Sequence, residues 1–184
     1  WLAVFDYAET RGQLAAFRGS KYLQARVGDS YVRCKQFLET GRQVLFSGTP
    51  CQVAGLRRFL RKSYENLFVV DVICHGVPSP KVWSRYLDAT VPSERNSIND
   101  ICFRNKQTGW RRARFTIEYT YKGKSHATSS VFSSNLYMKA FIENLILRPS
   151  CYNCPARSGR SHSDITIGDF WGIEQISSQM DDDG

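Results

Sequence analysis

Two short apolar runs, 43–47 and 67–73, are each followed by the residues that start a helix. Gln43-Val-Leu-Phe-Ser47 leads into Gly48-Thr49-Pro50, and Leu67-Phe-Val-Val-Asp-Val-Ile73 leads through a short loop into Ser79-Pro80. Threonine or serine suits the N-cap, where its hydroxyl can accept a first-turn N–H. Proline suits the next position, because the missing N–H would have no partner there anyway. The repeated unit is strand, turn, helix. Both strands are almost continuously apolar, which predicts a parallel sheet covered on both faces, in an α/β fold.

The flanking segments extend this reading. Residues 1–6 are expected to be extended, and 10–17 to form a short helix with Thr10 as its cap. Residues 27–40 are expected to form a helix with Val27, Tyr31, Cys34 and Leu38 on one face and Gly41 as its stop. Beyond residue 98 the pattern changes. Phe115, Ile117, Tyr119 and Tyr121 alternate with polar residues, and Lys122-Gly-Lys124 is a hairpin turn, so 98–132 is read as an antiparallel extension. A helix over 135–147 follows, with Met138, Phe141, Ile142, Leu145 and Ile146 at helical spacing. The whole, 1–184, is taken as one domain whose ends look cut from a longer protein.

The chain has 184 residues, a net charge of +8 and six cysteines. The positive balance favours phosphate-bearing cofactors, acidic proteins or nucleic acid. The densest basic run, Arg104-Asn-Lys-Gln-Thr-Gly-Trp-Arg-Arg-Ala-Arg114, holds a single aromatic residue, so it lacks the interleaved platform of a nucleic-acid surface. Arg111, Arg112 and Arg114 are expected to be solvated, as is Asp181-Asp-Asp183. No apolar run approaches the roughly 18 residues of a membrane span, and no signal peptide is visible. The cysteine density is too low for a secreted disulfide framework. A cytoplasmic location with metal-binding thiols is the expectation.

Cys151 and Cys154 form a Cys-x-x-Cys pair bracketed by Pro149 and Pro155, which are expected to keep a regular helix out of the loop. Two further ligands are needed for zinc or for an iron–sulfur cluster. In an open parallel sheet, sites form beyond the carboxyl ends of the strands. Cys51 and Cys74 each follow a predicted strand and would emerge on one edge. Cys51 also falls in the first turn of a helix, whose positive end favours a thiolate. Cys34 reads as a buried small apolar residue, and Cys102 lies within a strand. Spacing alone leaves zinc and iron–sulfur both open.

Ser47-Gly48-Thr49 is a glycine turn entering a helix N-terminus, a phosphate cradle without the full dinucleotide fingerprint. Gly48 would let a ligand approach the backbone closely. His75 and Gly76 follow Cys74 at the same edge; His75 is either a partner for a ligand sulfur or a flavin ring, or a satisfied loop histidine. Asp169 is either a functional carboxylate on that rim or the cap of the Phe170-Trp-Gly turn. His126 and His162 have no motif around them. Arg104 and Lys106 are expected to face the cleft and hold an anionic group.

The chain resembles the coenzyme F420 hydrogenase/dehydrogenase beta-subunit family. The resemblance rests on Phe17-Arg-Gly-Ser-Lys-Tyr22, Phe46-Ser-Gly-Thr-Pro-Cys-Gln-Val-Ala-Gly-Leu56 and Asp71-Val-Ile-Cys-His-Gly-Val-Pro-Ser-Pro80. It continues through Phe103-Arg-Asn-Lys106 and Gly109-Trp110 to Leu147-Arg-Pro-Ser-Cys-Tyr-Asn-Cys-Pro155 and Ser163-Asp-Ile-Thr-Ile-Gly-Asp-Phe-Trp-Gly-Ile173. It implies a flavin/iron–sulfur oxidoreductase with a [4Fe–4S] cluster on Cys51, Cys74, Cys151 and Cys154 and FAD beside it. Flavin contacts would fall on Ser20, Lys21, Ser47, Gly48, Thr49, His75, Gly76 and Arg104. Electrons would pass between cluster and flavin, and a hydride between flavin and F420 or another organic partner. A ferredoxin-like donor or an upstream ferredoxin domain, and other oxidoreductase subunits, are the implied partners. The rival readings are a structural zinc module and an apo interaction module in a larger, polysaccharide-related complex.

Overall fold

A computed structural model describes residues 1–92, 95–109 and 112–180, with the side chains of Arg95 and Asn96 excepted. Trp110, Arg111 and the Asp181–Asp183 run, all named above, lie outside the described residues. The elements in chain order are α1 (Ser30–Glu39), β1 (Val44–Gly48), α2 (Pro50–Leu60), β2 (Leu67–Val72), α3 (Pro80–Thr90), β3 (Arg95–Asn105), β4 (Arg114–Tyr121), β5 (Lys124–Val131), α4 (Leu136–Ile142), α5 (Pro149–Tyr152) and β6 (Ile165–Ile167).

The two strand–cap–proline units fold as their sequences dictate. β1 and β2 are parallel neighbours, with Phe46 opposite Val69 and Gly48 opposite Asp71. Thr49 and Ser79 occupy the N-cap positions of α2 and α3, each followed by proline. The Ser79 hydroxyl accepts the Val82 N–H at 3.3 Å. β6 adds a third parallel strand on the far side of β2, pairing Val72 with Ile167. Helices α1 and α2 cover one face, where Cys34, Leu38, Phe46, Val53, Leu56, Leu60, Leu67 and Val69 are buried together. Cys34 is therefore the core residue expected of it.

The opposite face departs from expectation. Leu45, Phe68 and Val72, with Ile165 and Ile167, are all exposed, so the parallel sheet is covered on one side and not both. The continuous apolar runs satisfy the covered-sheet pattern, but no helix of the described residues packs against the second side.

The antiparallel part is a sheet of its own, in the order β3-β4-β5. Lys122 and Gly123 take positive φ values of 48° and 73°, the two-residue turn that matches strand twist. Tyr121 and Lys124 pair across it. One face of this sheet packs on α3 and α4, burying Trp83, Leu87, Phe103, Phe115, Ile117, Tyr137, Met138 and Phe141. Arg114, expected in solvent, donates to the Ser129 hydroxyl at 2.7 Å on β5.

Four local expectations are corrected. Residues 1–6 form no strand; Val4 makes a single parallel bridge to Arg26. Thr10 caps nothing: a 3-10 helix runs from Gln13 to Phe17 with Gly12 at its N-cap, and the Gln13 side-chain oxygen accepts the N–H groups of Glu9 and Thr10. The helix sought over 27–40 begins at Ser30, leaving Val27 outside it. The helix sought over 135–147 ends at Ile142, because Asn144 turns left-handed (φ 61°) and the Leu145 N–H closes back on the Ala140 carbonyl at 2.9 Å. Leu145 is thereby thrown outward.

Candidate metal and cofactor site

The parallel register sets the site. β1 and β2 end side by side, so Cys51, three residues beyond β1, and Cys74, two beyond β2, emerge from the same edge. Ile73 N–H donates to Ile167 O at 2.8 Å, which brings the end of β6, with Asp169, to this edge too.

The Cys151–Cys154 loop reaches the edge through the backbone that follows Cys74. Pro78 and Leu147 form an antiparallel bridge, and the Arg148 N–H donates to the Val77 carbonyl at 3.0 Å. The Arg148 guanidinium holds the Gln24 side-chain oxygen. Pro149, expected to exclude a helix, instead opens the single helical turn α5, because its missing N–H is not needed at the first helical position. Cys151 lies in that turn and Cys154 just after it. The Cys151 sulfur lies 4.0 Å from the Val77 carbonyl oxygen.

The Cys74 thiol lies within the electrostatic reach of the other three candidate thiols. Burial pushes the Cys74 thiol above its ordinary value, a hydrogen bond from the Gly76 backbone pulls it back in part, and the thiols of Cys51, Cys151 and Cys154 each raise it further. Although Cys74 reaches solvent, the chain crowded round its sulfur supplies that desolvation. Cys34 and Cys102 take no part in this field. Cys51 also acts on Tyr31, whose hydroxyl is raised first by burial and then by that thiol. The thiols are neighbours without being closed on a common point: among the described residues, no group of three or more His, Cys, Asp or Glu side chains is close enough to hold one metal ion. As a donor set, four thiols on one edge and one short loop fit a cluster or a zinc ion.

The candidate flavin residues fall into two groups. The turn at Ser47–Thr49 lies at the edge, but the donors of Thr49 are engaged. The Gln52 side-chain oxygen accepts the Thr49 N–H at 2.8 Å and the Thr49 hydroxyl at 2.9 Å, and the Gln52 N–H goes to the Thr49 carbonyl. A Cβ at Gly48 would meet Gln52 at 3.2 Å and Phe5 at 3.4 Å, so this glycine makes room for the protein's own side chains. Ser20 is exposed. Lys21 caps the 3-10 helix, its ammonium donating to the carbonyls of Phe17, Arg18 and Gly19. Lys106 is exposed in the turn after β3. Gly76, at φ 138°, is pressed against Leu147. His75 stands over the Phe141 ring, and its Nε2 lies 3.2 Å from the Phe141 carbonyl. A carbonyl only accepts, so the proton sits on Nε2 and the other ring nitrogen is left for a ligand.

Arg104 is the residue of this set with an anion-binding environment. Its side chain is 11% exposed and donates to Asp169 Oδ2 at 3.1 Å. The Phe132 and Trp171 rings lie 5.9 and 6.0 Å from its guanidinium carbon. Through its pair with Arg104, Asp169 joins the parallel sheet's edge to β3. Phe132 stands in no spacing that marks a site, and Trp171 lies in the Ser163–Ile173 motif without any ligand role expected of it. A largely buried guanidinium beside aromatic faces fits a planar cofactor with a phosphate group.

Two other features stand apart from this edge. The cavity of about 300 Å³ beside α3 is lined by Trp1, Trp83 and Ile98, among others, and contains none of these candidates. Among the described residues no helix is long and apolar enough to cross a membrane.

Residues 41–184 match a family model that describes the C-terminal part of the beta chain of coenzyme F420 hydrogenase/dehydrogenase. No curated protein matches the chain.

Proposed function

Because the chain belongs to the coenzyme F420 hydrogenase/dehydrogenase beta-subunit family, as an oxidoreductase-related subunit, we propose that it is a redox domain carrying a [4Fe–4S] cluster and FAD at the shared strand edge. The cluster would be held by Cys51, Cys74, Cys151 and Cys154. The observation that carries this reading is geometric: Cys51 and Cys74 leave one edge of the parallel sheet, and the Pro78–Leu147 bridge ties the Cys151–Cys154 loop to that edge. When bound, the cluster supplies single electrons and the flavin supplies hydride chemistry towards F420 or another organic partner.

The chain's own residues have defined tasks in this reading. The ends of β1 and β2 fix Cys51 and Cys74, while Pro78 and Leu147 tie the Cys151–Cys154 loop to them. The Gly76 N–H donates to the Cys74 sulfur, the kind of bond that tunes a cluster's potential. The Phe141 carbonyl fixes the His75 tautomer. Arg104 binds the flavin phosphate. As a beta-subunit relative, the domain works with other subunits of a complex, and a ferredoxin-like protein or domain would supply its electrons.

Anaerobic purification followed by iron, sulfide and flavin assays tests this. The expected result is a brown protein with about four irons and four sulfides and one flavin per chain. A colourless protein holding stoichiometric zinc would overturn it in favour of a structural site.

A further inference from the structure

We propose that Asp169 is an exchangeable counter-ion for Arg104, occupying the place that the phosphate of a flavin nucleotide takes on binding, and so sets the selectivity of the site for phosphorylated flavins. This rests on the flavin reading above.

Two observations and the chemistry of phosphate support an exchange rather than a fixed pair. Arg104 has a contact besides the Asp169 segment: the Phe132 ring lies 5.9 Å from its guanidinium carbon, and its side chain is only 11% exposed. Asp169 is 48% exposed, so turning it out to water is cheap. A pyrophosphate or phosphate oxygen offers a guanidinium the same geometry as a carboxylate, with more charge. At the competing turn before α2, the Gln52 side chain already accepts both Thr49 donors. Arg104 is therefore the strongest phosphate anchor at this edge. Trp171, 64% exposed, presents a ring face beside it against which a planar group can lie.

The sign of the prediction separates this role from a supporting one. If Asp169 merely oriented Arg104, removing its charge would weaken ligand binding. If it competes with the ligand, removing its charge strengthens binding.

The test titrates FAD, FMN and riboflavin, with inorganic pyrophosphate as a fourth probe, into the anaerobically purified chain and its variants. For Asp169→Asn we expect FAD and FMN to bind about 3- to 5-fold tighter, with riboflavin, which has no phosphate, unchanged. For Arg104→Ala we expect FAD and FMN to bind at least about tenfold weaker. In that background Asp169→Asn should add nothing. Arg104→Lys, with circular dichroism as the fold control, covers the case in which the alanine variant fails to fold; it should give an intermediate loss. Weaker or unchanged FAD binding in Asp169→Asn overturns the proposal, as does an equal gain for riboflavin. If no flavin binds the parent chain but pyrophosphate binds tighter to Asp169→Asn, the exchange stands and the flavin reading falls. If no probe binds, both fall.

Discussion

Gly76 and Leu147 meet where only glycine fits. A Cβ at residue 76 would stand 2.8 Å from Leu147 Cδ1, and the backbone there has φ 138°. The same would-be Cβ lies 3.4 Å from the Cβ of Cys151. This contact joins the loop after β2 to the segment that leads into the Cys-x-x-Cys turn.

Gly76→Ala should therefore both strain the backbone and displace the cysteine turn. Such backbone strain costs on the order of 1–3 kcal/mol. Thermal unfolding followed by circular dichroism should show the midpoint lowered by about 2–12 °C. An unchanged midpoint would mean that Leu147 simply moves aside.

Serine variants separate the thiols by role. Cys51→Ser, Cys74→Ser, Cys151→Ser and Cys154→Ser should each lose most bound iron. Cys34→Ser and Cys102→Ser should keep it, because neither thiol acts on Cys74. Iron per chain after anaerobic reconstitution is the readout, and retention in all of the first four would remove the proposed ligand set.

Cys34 predicts a pH dependence. Burial pushes its thiol up to about 11 from an ordinary 9.0. The folded state thus holds this proton more tightly than the unfolded state, so the contribution is fully present below about pH 9 and is lost as pH rises towards 11. Tyr31 and Tyr137 are raised as well and add to the loss at higher pH. Cys34→Ala, whose core cavity costs stability at every pH, should show a shallower decline between pH 9 and 10 than the parent chain. Urea unfolding at a series of pH values measures the two slopes.

The open face of the parallel sheet can be probed without disturbing the core. Leu45 is 66% exposed. Leu45→Lys should change stability by no more than about 0.5 kcal/mol while reducing binding of a hydrophobic dye. A large loss of stability would show that Leu45 is packed in solution.

Much of this arrangement is legible in the chain because its rules are local. Thr49-Pro50 and Ser79-Pro80 start helices by satisfying or omitting first-turn donors, which involves only neighbouring residues. The placement of Cys51 and Cys74 on one edge requires one further step, that adjacent apolar strands pair in parallel. The misreadings are also local. Apolar spacing continues past Ile142, yet a left-handed Asn144 ends α4, and spacing carries no signal for that reversal. Pro149 reads as a breaker, although proline opens a helix as readily as it interrupts one.

By itself the sequence determined the strand–cap–helix units, the buried state of Cys34 and the edge from which Cys51 and Cys74 emerge, since each follows from short-range chemistry and strand alternation. Only the tertiary structure decided that Asp169 answers Arg104 from 65 residues away, that Gln52 fills the turn beside Gly48, and that one face of the parallel sheet stays open. Those depend on which distant segments come to share a surface. Residue type permits an arginine many partners, and the path of the chain after β6 leaves it beside this one.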